Sequence, residues 1–145
     1  MGHLLGPWHV LVLAVAIVTA VFYILTLQGA LKKCSTASRT LEPGMIWLLL
    51  IPVVNLIWHF YVVTGMGRSL SNEFQSRNLP TPEPQPGRTI GLAMCICGVC
   101  GVIPVLGLVA GLAFLVLWII YWAKVAEYSR QLTGATGAIN PRAAG

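Results

Sequence analysis

The chain has 145 residues, 57% of them hydrophobic and only 9% charged, with no aspartate, four glutamates and a formal net charge of +5. A soluble domain carries roughly a quarter of its residues as charges, so this composition excludes an ordinary soluble enzyme, a disordered tail and a disulfide scaffold. It is the composition of an integral membrane protein.

The charges punctuate the chain. Lys32, Lys33, Arg39 and Glu42 form one group, Arg68, Glu73, Arg77, Glu83 and Arg88 a second, and Lys124, Glu127, Arg130 and Arg142 a third. The stretches 1–31, 43–67 and 89–123 carry no charge. An apolar helix needs about 20 residues to cross a ~30 Å hydrocarbon core. The first two stretches therefore predict one span each, over 8–31 and 45–67. The third is too long for one span, since its helix would need a tilt beyond the usual ~0–40°. Pro104, which has no N–H to give, lies between Gly101 and Gly107 and divides it into helices over 88–103 and 105–130. The expected fold is all-α, with four transmembrane helices as two antiparallel hairpins in a single domain, 1–132. The fallback is three helices, the last kinked at Pro104.

Alternating spans put six Lys and Arg on the side of the termini and second loop, against three on the other. Positive-inside then predicts both termini in the cytoplasm of a cell with this chain in its inner (plasma) membrane, the C-terminus being the safer half. No small-x-small cleavage site follows the first span, which is expected to be retained. Within 78–88, Pro80, Pro82, Pro84 and Pro86 alternate, predicting a stiff extended linker, or a docking peptide for a partner's groove. Met66, Leu70 and Phe74 recur at helical spacing, and Glu73 stands four before Arg77. Helix two should thus continue past the membrane as an amphipathic extension. Helix four should run to Leu132 with Gly134 as its cap, leaving 133–145 as a flexible tail. Trp8, Trp47, Trp118, Trp122 and Tyr121 read as anchors at the membrane interface.

The stretches Ile51-Pro52-Val53-Val54-Asn55-Leu56-Ile57-Trp58, Ile103-Pro104-Val105-Leu106-Gly107 and Trp118-Ile119-Ile120-Tyr121-Trp122-Ala123-Lys124 carry a resemblance. Over residues 45–132 the chain resembles the short multi-pass bacterial membrane proteins grouped as domains of unknown function. The resemblance implies the hairpin architecture and no activity.

Three groups of residues offer chemistry. Asn55 and His59 share a helix face, and Pro52 in mid-helix would free a carbonyl beside them. They predict either interhelical bonds, from Asn55 to Thr19, Tyr23 or Thr26, or a small channel or transporter pathway with His59 titrating. Cys95, Cys97 and Cys100 supply weak metal ligands, but Ala93, Cys97 and Gly101 also form a small-residue packing stripe. Cys34, next to the lysine pair, would be an exposed thiol. Gly107 and Gly111 make a GxxxG element for close helix packing. Every glutamate lies outside the spans, so no catalytic constellation forms and no cofactor is implied. The basic residues suit anionic lipid headgroups rather than nucleic acid. The expected role is a non-enzymatic structural, accessory or assembly subunit that binds itself or another membrane protein. A channel and a metal handler are the alternatives.

Overall fold

The computed structural model describes residues 6–81, 83–104 and 106–139. The regular elements are all helices: α1 is Pro7–Lys33, a 3-10 helix follows at Pro43–Leu50, then α2 is Pro52–Ser76, α3 is Arg88–Cys100 and α4 is Gly107–Ile139. Strands are absent among the described residues. Two helices, Pro7–Lys33 and Gly107–Thr136, are long and apolar enough to cross a membrane.

The expected helix over 45–67 is two elements. The 3-10 segment rises only about 16 Å over its eight residues. Its chain turns at Ile51, whose extended backbone (ψ 109°) caps α2. Pro52 stands in the first turn of α2, where its missing N–H costs nothing. It starts a helix rather than kinking one, and no carbonyl is freed beside Asn55.

This half-length return changes the topology. Tyr23 meets His59, Ser35 meets Glu73 and Lys33 meets Arg77, so α1 and α2 run parallel. Thr26 meets Trp122 and Lys33 meets Ser129, so α4 runs parallel to both. The return strokes are the 3-10 segment, which packs antiparallel to α2 through Met45–Trp58 and Thr40–Ser69, and α3, which packs antiparallel to α4. The hairpins are therefore 3-10/α2 and α3/α4, not α1/α2. The described members of all three charged groups lie at one end of the bundle, whereas alternating spans would have put the first loop opposite the second. From the level of Arg68 and Lys124, α2 and α4 reach about 24–26 Å to their turns. α1, about 40 Å long, overtops them.

The core occupies the charged half. Leu27, Leu31, Val62, Val63, Met66, Leu70, Val125 and Leu132 are wholly buried there. The other half is apolar outward: Trp8, Leu11, Val53, Ile57, Leu108 and Val109 are exposed.

Polar groups close the charged end. Buried Glu73 accepts from the Ser35 N–H and hydroxyl, each at 2.8 Å, and pairs with Arg77. Arg39 donates to the Leu31, Lys32 and Cys34 carbonyls at the end of α1, adding to the Cys34 N–H that Leu31 already accepts. Cys34 is buried at this same corner rather than exposed. Burial, then the Glu73 carboxylate, pushes its thiol up to about 11.

The proline-rich segment is folded back, not an extended spacer. The Ser71 hydroxyl donates to the Pro84 carbonyl, Glu83 pairs with Lys124 and accepts from the Gly87 N–H, and Gly87 takes a left-handed φ of 74°. Pro82 lies outside the described residues. α4 continues through Gly134 to Ile139, so Gly134 is no cap and 133–139 is helix rather than tail. Leu132 is buried, and Arg77 donates to the Leu132 carbonyl (3.1 Å) and the Thr136 hydroxyl (2.6 Å), which holds that turn in place. Residues 140–145 of the expected tail lie outside the described residues.

Candidate functional site

The first two turns of α2 carry the most polar side chains of the apolar half. The Asn55 N–H closes the first turn on the Ile51 carbonyl at 2.8 Å, and one turn later His59 lies on the same face. The Tyr23 hydroxyl and His59 Nε2 share a hydrogen bond of 3.1 Å. The Tyr23 ring packs on Trp118 and Trp122 at centroid distances of 5.2 and 5.9 Å, and Trp122 Nε1 donates to the Thr26 hydroxyl. His59 is thus set by an aromatic cluster that ties α1, α2 and α4 together.

Asn55 does not make the bond expected of it. Thr19 and Thr26 turn their hydroxyls back onto the Val15 and Phe22 carbonyls, and the Tyr23 hydroxyl is engaged by His59. Asn55 Oδ1 is buried without a donor among the described residues. The interhelical bond exists, with His59 as its polar partner on α2.

Two clefts meet at these residues. One, of about 370 Å³, lies between α1, α2 and α4 and is lined by Ala16, Thr19, Ala20, Leu115 and Trp118. The other, of about 390 Å³, lies between α2, α3 and α4 and is lined by Leu56, Cys95, Cys97, Gly98, Gly101, Gly107 and Gly111. Asn55, His59 and Phe114 line both. Among the described residues no carboxylate, lysine or arginine lines either. Toward the charged end the buried layer of Leu27, Val62, Val63, Met66 and Val125 closes them off.

The cysteines separate. Cys95 is buried and Cys97 half-buried on the second cleft, while Cys100 does not line it. Among the described residues no three His, Cys, Asp or Glu converge to hold a metal ion.

Close helix packing falls on Gly91 and Gly98, and of the predicted GxxxG pair on Gly107 but not Gly111. A Cβ on Gly91 would clash with Val63 and lie 2.9 Å from Tyr121, and one on Gly98 would meet the Phe114 ring at 3.3 Å. Gly107 closes against the Gly101 carbonyl at the turn, but Gly111 faces open space. The stripe that packs α3 is Gly91, Met94, Cys95 and Gly98, not Ala93, Cys97 and Gly101, because the helix presents that i, i+3, i+4, i+7 face to α2 and α4. Tyr121, expected at the interface, is 1% exposed and fills the space these glycines leave. No protein-family model, curated protein or solved structure matches the chain.

Proposed function

We propose that the protein is a non-enzymatic, multi-pass membrane protein of the accessory or assembly kind, which holds a membrane-borne partner at the Asn55–His59 site. Its setting is the inner (plasma) membrane. The shared end of the charged segments supports a cytoplasmic position for that end, including the helical C-terminal extension, because all the described lysines and arginines lie there. α1 then crosses the bilayer from the far side, and the two hairpins enter from the cytoplasmic side and return to it. The parallel run of α1 and α4 supports opposite sides for the start of α1 and the end of α4, where alternating spans had joined them.

One observation carries the functional reading: two clefts converge on a polar pair in the apolar half, with a closed core below them and no carboxylate to drive chemistry. That core argues against a pore through a single chain, and the dispersal of Cys95, Cys97 and Cys100 argues against metal handling. In proteoliposomes the purified protein should pass neither protons nor potassium. His59→Phe should leave the leak at the level of empty vesicles. A flux that His59→Phe abolishes would replace this reading with the transporter.

A further inference from the structure

We infer that the double cleft is the binding site of a lipid-soluble alcohol or phenol: an apolar molecule carrying one hydroxyl. The inference rests on the membrane placement proposed above and names the occupant of that site. The Asn55 amide lines both lobes, and its Oδ1 has no donor among the described residues. A carboxamide presents an acceptor oxygen and a donor NH₂ side by side, and a hydroxyl is the small group that both donates and accepts. His59 borders the same point with its ring fixed by Tyr23.

A charged ligand does not fit. No lining side chain is charged, so an ion here would be desolvated without compensation. The rest of each lobe suits an apolar body. The first offers aliphatic walls and the Trp118 and Phe114 rings; the second is backed by glycines, and a Cβ on Gly111 would meet nothing within 4 Å. At about 370 and 390 Å³, both lie in the ~300–1,000 Å³ range of small-molecule sites. The lobes open among exposed apolar side chains and are closed toward the charged end, so a ligand enters from the bilayer.

The test uses the full chain in lipid nanodiscs with a diazirine-bearing hexadecanol, and mass spectrometry to map the adducts. Labelling should fall on 16–24 of α1, on 95–102 at the end of α3, and on 107–118 of α4. Plain hexadecanol should compete about tenfold better than hexadecane, the worth of one buried hydrogen bond. Asn55→Leu should erase that preference. Gly111→Leu, which adds its side chain to open space, should reduce labelling by filling the second lobe even if the first variant folds poorly. Equal competition by hexadecane, or labelling unchanged in both variants, overturns the inference. Accessibility of engineered cysteines to an impermeant maleimide, measured on the full chain in sealed proteoliposomes, separates the two readings. With the charged end on one side as proposed and no labelling in the cleft, the ligand inference falls alone; with the charged segments on opposite sides, both fall.

Discussion

Glu73 and Arg77 stand one turn apart at the end of α2 and pair at 2.6 Å, with the glutamate side chain 2% exposed. The pair is the hinge pin of the charged end. Glu73 gathers the loop after α1 through Ser35, and Arg77 reaches the Lys33 carbonyl of α1 and the Leu132 carbonyl of α4. One ion pair thus fixes the ends of three parallel helices.

Burial by itself raises the Glu73 carboxyl, but the Ser35 N–H and hydroxyl, Ser38 and Arg77 together more than offset it and hold it below the usual value of 4.5. A carboxylate with a depressed folded value contributes stability that is present above its unfolded value and lost as pH falls through the folded one. The bundle should therefore weaken below pH 4.5 as this group protonates. Glu73→Gln should cost on the order of 3 kcal/mol near pH 7, because its amide oxygen can still accept from Ser35 but its NH₂ leaves the Arg77 guanidinium without a carboxylate. It should also flatten the acid limb. Thermal unfolding in detergent across pH 3–7 checks both, and an acid limb of unchanged slope in the variant would remove Glu73 from this role.

The glycines of α3 and α4 make opposite predictions. Gly91→Ala forces Val63 and Tyr121 aside in a closed core and should destabilise by about 1–3 kcal/mol. Gly111→Ala meets open space and should be neutral or stabilising by up to about 1 kcal/mol, through helix propensity alone. Denaturation of the two variants side by side decides whether the GxxxG spacing or the Gly91–Gly98 stripe packs this hairpin.

Much of the helix content was legible because the apolar runs and the Glu73–Arg77 spacing each carry their own physical signal. Direction was not. Pro43–Leu50 and Pro52–Gly67 form one run without a charge, and a proline inside it reads equally as a kink or as the first residue of a new helix. Only the second option sends the chain back to the side it came from. For the site, Asn55 and His59 stood out as polar residues in an apolar run. The choice of Tyr23 over Thr19 or Thr26 did not, since it depends on threonine hydroxyls satisfying their own helix. The Gly91, Met94, Cys95, Gly98 periodicity was readable, but the cysteine spacing drew the eye to a different face.

The parallel run of α1 and α2 yields a topology test. In a chain with its four cysteines replaced by alanine, Thr36→Cys, Gln75→Cys and Gln131→Cys should all react with an impermeant maleimide from the same, cytoplasmic side. Gly6→Cys should react only from the opposite side. Alternating spans predict instead that positions 36 and 75 react from opposite sides, so these two positions alone discriminate.

Tyr23 and Asn55 should respond to mutation in opposite senses, although both are polar residues in the apolar half. Tyr23→Phe keeps the ring stack on Trp118 and Trp122 but takes the partner from His59, which is buried. A buried group deprived of its partner costs about 1–3 kcal/mol. Asn55→Leu removes an oxygen that has no donor among the described residues, so it should be neutral or stabilising in ligand-free detergent. A double variant measures how far the two effects couple through the cleft that both residues line beside His59. If Asn55→Leu instead destabilises as much as Tyr23→Phe, Asn55 is structural glue and its value as a binding group is lost. Thermal unfolding of the two single variants and the double, with and without added hexadecanol, separates these outcomes. Ligand should raise the midpoint of the Asn55-bearing chains by more than that of the Asn55→Leu chains.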